Sequence, residues 1–159
     1  MAEIQVRRAV TEDAPAAVEL LRASILQLCD ADHQHDPHTL ALWLRNKTTL
    51  EFSSWLANPN SHIVVADDST VILGVGMIGS SGHVRLLYVR PGFQRMGVGR
   101  AVLAALEAHA VARQVSEVSL KSSLLARSFY ERQGYVSTGP PEPGLGVIQV
   151  FPYTKTLGR

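Results

Sequence analysis

The feature of this sequence that most constrains its fold is a change of hydrophobic period at His62. Before it, apolar residues recur at helical spacing, most clearly from Val18 to Leu28. After it come three short runs rich in β-branched residues, at 62–67, 71–79 and 83–89. Because turn-forming residues separate these runs, they predict an antiparallel meander.

Strand and helix patterns alternate on both sides of the meander. A strand is predicted at 4–8, and a helix follows it with Thr11 as N-cap. After this helix we expect a polar loop at 30–35 and two short helices, which begin at Asp36 and at Thr48. Beyond the meander we expect a helix after Gly99, a strand at 115–120, a helix at 126–132, and a last strand at 147–157. The order βααβββαβαββ predicts an α/β fold around a central sheet.

The chain has 159 residues, which predicts a single domain, residues 1–159. Its 15 Lys and Arg against 14 Asp and Glu leave a net charge of +1, too balanced for nucleic-acid or membrane binding by overall charge. An anionic ligand therefore needs a local site. A single cysteine, the lack of a signal-like N-terminus and the lack of a long apolar run predict a cytoplasmic protein without a membrane span.

Two glycine clusters compete as ligand sites. Residues 74–79 match the dinucleotide fingerprint, but a turn and a strand follow where that motif needs a helix, so strand glycines at a bulge or turn are the better interpretation. Residues 94–101 follow a strand and open an amphipathic helix, whose free N–H groups favour an anion. The alternative is a tight turn that needs Gly97 and Gly99 only for their backbone angles.

Two separated motifs carry a resemblance to a known family. Gln94-x-x-Gly97-x-Gly99 and Ala126-x-x-Phe129-Tyr130 occur in the order found in the GCN5-related N-acetyltransferase (GNAT) family, which the element order also resembles over nearly the whole chain. The family often has an asparagine before that alanine, where this chain has 122–125 as Ser-Ser-Leu-Leu. The resemblance implies a GNAT-like acyl-CoA N-acyltransferase fold with a mixed, mostly antiparallel sheet flanked by helices.

The resemblance also implies acetyl-CoA as cosubstrate and no metal. In that family, amides of the glycine loop bind the pyrophosphate, a splayed strand, here 84–89, pairs with the pantetheine arm, and a backbone N–H at the position of Val89 polarises the thioester carbonyl. The residues expected to bind the cofactor are Leu87, Tyr88, Val89, Gln94, Arg95, Met96, Gly97, Val98, Gly99, Arg100, Ala126 and Phe129.

Two side chains are predicted to be catalytic. By analogy with the family, Tyr130 donates a proton to the departing CoA thiolate; the alternative is an aromatic anchor for its helix. His83 is the candidate general base, because strand alternation would place it on one face with Leu87 and Val89 and several family members carry Glu or His there. The alternative for His83 is a solvated residue after the turn.

Other reactive or aromatic residues have a structural interpretation beside a functional one. The His33, His35 and His38 segment could in principle bind zinc, but the resemblance makes it a loop beside the acceptor pocket. Cys29 ends an apolar stripe and is predicted to pack. Aromatic side chains of the short helices line the acceptor pocket or pack on the sheet, with packing favoured for most of them: Trp43, Phe52 and Trp55.

The predicted function is transfer of an acetyl group from acetyl-CoA to a primary amine by direct attack in a ternary complex. The alternative is a non-catalytic acyl-CoA sensor; a nucleotide-binding module is a third, disfavoured because no P-loop lysine follows the glycines. The acceptor is a small molecule or protein amine that the sequence leaves unnamed. A stiff loop at 139–146 is expected at a pocket edge or a dimer contact, and homodimers are frequent in the family.

Overall fold

The computed structural model describes residues 3–158 and has one eight-stranded sheet flanked by helices. The elements are β1 Gln5–Arg8, α1 Ala14–Leu28, α2 Asp30–His33, α3 Pro37–Leu44, α4 Thr49–Ala57, β2 Ser61–Asp67, β3 Ile72–Gly79, β4 His83–Val89, α5 Val98–Ala112, β5 Glu117–Ser122, α6 Arg127–Arg132, β6 Val136–Ser137, β7 Glu142–Pro143 and β8 Gln149–Thr156. The strand order is β1-β2-β3-β4-β5-β8-β6, with β7 paired to β8. Every pairing is antiparallel except β4 with β5, which confirms the predicted fold class.

The core lies on both faces of this sheet. On one, which we call the α5 face, the helix α5 buries Val102 and Leu106 against the strands. On the other, the α1 face, α1 buries Leu20 and Leu21. Burial of these apolar side chains on both faces fixes the meander between two helices. Among residues 3–158, none of the helices has the length and apolar character needed to cross a membrane.

The helix starts follow the sequence signals at two of three positions. The Asp36 carboxylate accepts from Thr39 N–H at 2.9 Å, and the Thr48 hydroxyl accepts from Glu51 N–H at 3.2 Å, so both are the predicted N-caps. Thr11 is not: it opens a 3₁₀ turn, and the carboxylate of Asp13 accepts from Val10 N–H at 2.8 Å instead. Arg7 also pairs with Asp13, which holds that carboxylate in place.

The predicted polar loop at 30–35 is wrong, because residues 30–33 form the short helix α2. Two of its polar side chains are buried, Asp32 and His33. The Asp32 carboxylate accepts from the N–H groups of Leu124 and Leu125, at 2.7 and 3.3 Å. Because these partners lie more than 90 positions away, no local sequence pattern could reveal that α2 packs inward.

The glycines of residues 74–79 form no ligand loop. They lie in the buried strand β3, and a methyl group at Gly74 would come within 2.7 Å of the Val98 side chain. One at Gly76 would overlap the side chain of Val102. The register of β2 with β3 shifts beside Gly74, which confirms the expected bulge there, and Gly79 O accepts from Gly82 N–H at 3.0 Å in the turn before β4. Gly76 lies at neither a bulge nor a turn, and Gly74 and Gly76 both let α5 approach the sheet closely.

Candidate active site

The strands β4 and β5 separate in the middle of the sheet. They pair only at His83 with Ser119 and at Val84 with Leu120. Beyond these pairs, β4 continues to Val89 along β3 alone. The edge of β4 that faces β5 is thus unpaired from Arg85 onward, which creates an opening inside an otherwise continuous sheet.

Backbone donors of β4 point into this opening. The N–H of Arg90 donates to Leu73 O at 2.8 Å, toward β3. Since successive amides of a strand point to opposite sides, the N–H groups of Val89 and Leu87 point toward β5. The strand therefore offers free donors to an extended ligand lying in the gap.

The glycine loop that follows β4 offers a second set of free donors. Gly97 is the N-cap of α5 with φ of +85°, and Arg95 has φ of +63°. The first α5 hydrogen bond runs from Ala101 N–H to Gly97 O at 3.0 Å. Within residues 3–158, none of the seven N–H groups of residues 94–100 donates to another group of the protein. These donors and the helix N-terminus together form a concave anion site.

The Gln94 side chain binds a backbone N–H group of the protein, whereas its motif implies that it binds the cofactor. Its side-chain oxygen accepts from Gly92 N–H at 2.6 Å, so the side chain closes the turn that leads into the loop. Positive charge around the loop comes from Arg95, Arg100 and Arg132. Among the described residues, none of these three arginines pairs with a carboxylate.

Two cavities meet at the gap between β4 and β5. One, the loop-side cavity, has a volume of about 420 Å³ and extends from the glycine loop into the gap. The other, the α3-side cavity, has a volume of about 190 Å³ and lies beneath α3 and the start of β8. The residues that line both are Cys29, Leu87, Tyr88, Ser123, Ala126 and Tyr130. Two ligands entering these cavities would touch at this junction.

Most of the predicted cofactor residues line the loop-side cavity. These are Leu87, Tyr88, Val89, Gln94, Arg95, Gly97, Gly99, Arg100, Ala126 and Phe129. Met96 and Val98 do not: the Met96 side chain is exposed, and Val98 is buried against β3. Either could contribute only through its backbone N–H. Eight further lining residues were not predicted, because none of them occupies a specified position of a motif: Ser24, Leu28, Cys29, Phe93, Ser123, Leu125, Arg132 and Gln133.

Tyr130 lies at the junction with its hydroxyl free. Its side chain is buried, and the ring packs edge-on against Phe129 and Tyr135. Within residues 3–158 the hydroxyl has no hydrogen-bond partner. Burial raises the pKa of Tyr130 above its ordinary value. The phenol therefore stays protonated at neutral pH and can donate its proton to a group in either cavity.

Cys29 and Tyr88 form the wall of the junction opposite Tyr130's helix. The Tyr88 hydroxyl accepts from the Trp43 indole N–H at 3.2 Å, and burial raises its pKa. Burial and the nearby charge of Asp32 raise the pKa of the Cys29 thiol to about 12. The thiol is thus protonated at neutral pH and unsuited to nucleophilic attack. Of the aromatic residues on the short helices, Trp43 lines the α3-side cavity, whereas Phe52 and Trp55 pack in the α1-face core.

His83 does not lie on the face that strand alternation predicted. The β3–β4 register shifts between Met77 and Ile78, so that Arg85 is an extra residue of a bulge. Val84 consequently packs on the α5 face and Leu86 on the α1 face. His83 therefore faces the α1 side, opposite Leu87 and Val89, and the predicted shared face is wrong.

The surroundings of His83 also separate it from the junction. Its Nδ1 lies 2.9 Å from the Ser119 hydroxyl, and it lines neither cavity. It lies four positions before Leu87, the first β4 residue of the junction, roughly 13 Å along the strand. Burial lowers the pKa of His83 below its ordinary value, and the charges of Arg85 and Lys121 lower it further. A proton could reach His83 from the junction only through a chain of water molecules.

The histidines near α2 have structural contacts. The His33 Nε2 lies 3.1 Å from Ile25 O, and its Nδ1 accepts from His35 N–H at 3.0 Å. Only His33 of the three is buried. Across residues 3–158 the structure contains no cluster of three or more His, Cys, Asp or Glu side chains that could hold a metal ion.

The sequence matches one protein-family model over most of its length. Residues 34–157 match the family described as an acetyltransferase (GNAT) domain. This range contains the glycine loop, the splayed strands and Tyr130. No curated protein matches the chain.

Solved structures match the fold over nearly the whole chain. A GCN5-related N-acetyltransferase from Rhodopseudomonas palustris has a TM-score of 0.86 at 24% identity, covering 99% of this chain and 98% of that one. PaiA N-acetyltransferase from Thermoplasma acidophilum, in complex with coenzyme A, has a TM-score of 0.80 at 17% identity, covering 98% and 99%. YncA from Salmonella typhimurium, with its cofactor acetyl-CoA, has a TM-score of 0.70 at 19% identity, covering 99% and 96%. At these identities the similarity establishes the fold.

Proposed function

The chain belongs to the GNAT acetyltransferase family, and we propose that it transfers the acetyl group of acetyl-CoA to a primary amine by direct attack in a ternary complex. The observation that carries the proposal is the meeting of two cavities at Tyr130. The loop-side cavity supplies donors for a diphosphate, and the α3-side cavity admits a second molecule to the same point. Two structural relatives hold CoA or acetyl-CoA.

The residues of the loop-side cavity fit acetyl-CoA group by group. The N–H groups of residues 94–100 match a diphosphate, and Arg95 and Arg100 add charge for its oxygens. The free N–H group of Val89, next to the glycine loop, matches an amide carbonyl of a pantetheine arm. Phe129 gives the arm an apolar wall. This assignment keeps the predicted cofactor residues, with Gln94 acting on the loop rather than on the ligand.

In the proposed reaction, bonds form and break at the junction. The amine nitrogen forms a bond to the thioester carbonyl carbon while the carbon–sulfur bond breaks. We assign Leu87 N–H, rather than the predicted Val89 N–H, to the carbonyl oxygen, because Leu87 lines both cavities and Val89 lines only the loop-side cavity. A backbone donor at this point stabilises developing negative charge. Tyr130 gives its hydroxyl proton to the leaving sulfur. The proton lost by the amine leaves through water, with His83 as the candidate acceptor at the far end.

The test combines binding with turnover. We expect isothermal titration to show acetyl-CoA binding, and a panel of amines to release free CoA thiol in the presence of the enzyme. Tyr130→Phe removes only the hydroxyl, and we expect its kcat to fall at least about 100-fold, the lower end of the usual range for one general acid. Tyr135→Phe is the matched control, because its hydroxyl donates to Glu107 at 2.7 Å and lines neither cavity.

Other outcomes would favour the alternatives. Binding of acetyl-CoA without thiol release from any amine would favour a non-catalytic acyl-CoA sensor. Greater thermal stabilisation by ATP than by CoA would favour a nucleotide-binding module. Absence of acetyl-CoA binding at high micromolar concentrations would overturn the proposal altogether.

A further inference from the structure

The side chains that line the two cavities include no base for an incoming amine. Across residues 3–158, no Asp, Glu or His lines either cavity. The weakly acidic side chains there are Cys29, Tyr88 and Tyr130, which meet at the junction. Burial raises the pKa of each of the three, so all of them hold their protons at neutral pH. The junction can therefore give a proton to a ligand but cannot take one from it.

The charges that line the cavities are positive. Lys121 and Arg85 are the charged residues of the α3-side cavity, and the Arg85 guanidinium lies over Gly79 of β3, away from the junction. The charged residues of the loop-side cavity are three arginines, Arg95, Arg100 and Arg132. An acceptor that arrived as an ammonium ion would leave water without meeting a carboxylate among the lining residues of the described chain. The uncharged amine does not have this desolvation cost.

Two carboxylates outside the cavities are bound to other groups. Asp32 is buried, and its oxygens accept from backbone N–H groups of the turn before α6, at 2.7 and 3.3 Å. Glu142 belongs to the loop at 139–146, which was predicted at a pocket edge, and it pairs with Lys121 at 2.8 Å. Neither Asp32 nor Glu142 lines a cavity. Both are therefore occupied away from the point where an amine would attack.

His83 is too weak a base to deprotonate an ordinary alkylammonium ion. Its imidazole reaches the junction only through water, and its pKa lies below the ordinary value for histidine. The ammonium group of a lysine side chain has a pKa of about 10.4, so transfer of its proton to an ordinary imidazole is unfavourable by a factor of about 10,000. His83 can instead receive the proton that the nitrogen loses after attack, when the new bond to carbon has made that proton acidic.

We infer that the acceptor is a weakly basic primary amine, which this site takes up in its uncharged form. The inference rests on the proposed function. The uncharged nitrogen forms its bond to the thioester carbonyl carbon while the carbon–sulfur bond breaks. Tyr130 gives its proton to the sulfur, the nitrogen gives one proton to water, and a proton from water restores the tyrosine. An electron-withdrawing group beside the nitrogen defines this class of amine, as in the α-amine of a peptide.

Basicity determines how much of an acceptor is available to such a site. At pH 7 a peptide α-amine with a pKa of about 8 is uncharged in roughly one molecule of ten. A lysine side chain with a pKa of about 10.4 is uncharged in about one molecule of 2,500. The weaker base is also the poorer nucleophile, which offsets part of this difference. We therefore expect kcat/KM at pH 7 to be at least about tenfold higher for the weakly basic amine.

The experiment uses pairs of amines that differ in basicity. The first pair is 2-phenylethylamine and its β,β-difluoro derivative, which has nearly the same shape and an amine pKa close to neutral. The second pair is the α-amine and the lysine ε-amine of one peptide, separated by mass spectrometry of the acetylated position. We expect the acidic limb of kcat/KM to move with the pKa of each acceptor, because this parameter reports the free reactants. Turnover of the fluorinated amine alone or of the peptide alone identifies the source as a small molecule or a peptide.

Two outcomes in the wild-type protein would overturn the inference. One is an acidic limb at the same pH for all acceptors, which would indicate a base of the protein. The other is a kcat/KM at pH 7 that is equal within the pairs or higher for the strongly basic amines. Binding of acetyl-CoA without thiol release from any amine would instead count against the proposed function.

Variants at Ser123 assign the preference to the absence of a carboxylate from the junction. Ser123 lines both cavities, and its hydroxyl accepts from Ala126 N–H at 3.2 Å, a contact that Asp and Asn can also make. We expect Ser123→Asp to reduce the preference for weakly basic amines severalfold, because it supplies a counter-charge and a base. Ser123→Asn has the same shape without the charge and should keep the preference. Equal ratios in the two variants, with acetyl-CoA bound by both, would contradict the inference.

Discussion

At the scale of single residues, His83 shows how one extra strand position changes a chemical role. Its residue type suits a general base, but the bulge at Arg85 turns it to the α1 face. Sequence alternation can be counted only while the register is unbroken. A base assignment for His83 therefore depends on a relay of water from the junction.

The pH profile of kcat tests that relay. Burial and two neighbouring cations lower the pKa of His83, so an imidazole acting as base stays unprotonated and active below pH 6.5. We expect the acidic limb of the profile to lie below this value if His83 accepts the proton, and to disappear in His83→Ala. If the variant keeps both the rate and the limb, His83 has no part in proton transfer.

Gly97 is the residue on which the anion site most depends. Its φ is +85°, and a residue with a Cβ adopts this angle at a cost of about 1 kcal/mol. The space around Gly97 is open, so a methyl group there would cause strain but no steric clash. We expect Gly97→Ala to shift the loop N–H groups and weaken acetyl-CoA binding about tenfold, measured by isothermal titration. Gly139→Ala is the control, since its backbone has no positive φ and the nearest atom to a new methyl is 3.9 Å away. Equal affinity in both variants would contradict the role of the loop.

At the scale of elements, local patterns predicted most of the fold and long-range contacts accounted for the errors. The meander and α5 were predictable because the alternation and the helical spacing of apolar residues are local features of the sequence. The helix α2 does not, because Asp32 is satisfied by a turn 92 positions away. The glycine loop, by contrast, was predictable. Its strand, glycines and helix follow one another directly in the sequence, and this succession leaves the loop N–H groups free.

Asp32 links two elements that close the junction. Its carboxylate binds the N–H groups of Leu124 and Leu125 in the turn that leads to α6 and Tyr130. We expect Asp32→Ala to lower the free energy of unfolding by about 2 kcal/mol and to raise KM for acetyl-CoA severalfold, because buried donors lose a charged acceptor. Denaturant unfolding and steady-state kinetics check both.

Two further variants separate this role from a general effect of charge. Asp32→Asn keeps one acceptor oxygen and should restore part of the stability and the KM. Asp30→Ala removes an exposed carboxylate from the same helix and should change neither. If Asp30→Ala behaves like Asp32→Ala, the contact with the turn is not responsible.

At the scale of the whole molecule, a histidine pair joins the sheet to α5 away from the junction. The rings of His62 on β2 and His109 on α5 stack 3.7 Å apart at an angle of 4°. Burial, the neighbouring His109 and Arg8 lower the pKa of His62 to about 4, and burial and Arg113 lower the pKa of His109. The native fold therefore favours the neutral rings.

Folding stability should consequently depend on pH in a defined direction. The unfolded chain binds more protons than the native protein between pH 6.5 and about 4, so stability contributed by the pair is present above pH 6.5 and is lost as the pH falls through this range. We expect urea unfolding to show a smaller loss between pH 7.5 and 4.5 in His62→Phe than in the wild-type protein. An equal loss in both would show that other groups, chiefly carboxylates, cause the acid sensitivity.

The arrangement of the two cavities bears on the order of events during turnover. Because they reach the junction from different sides, neither molecule has to pass the other on its way in or out. A single compound that joins an amine acceptor to CoA through a short bridge at the junction would occupy both cavities at once. Such a conjugate should bind far more tightly than either half, since its second half is held at high effective concentration by the first.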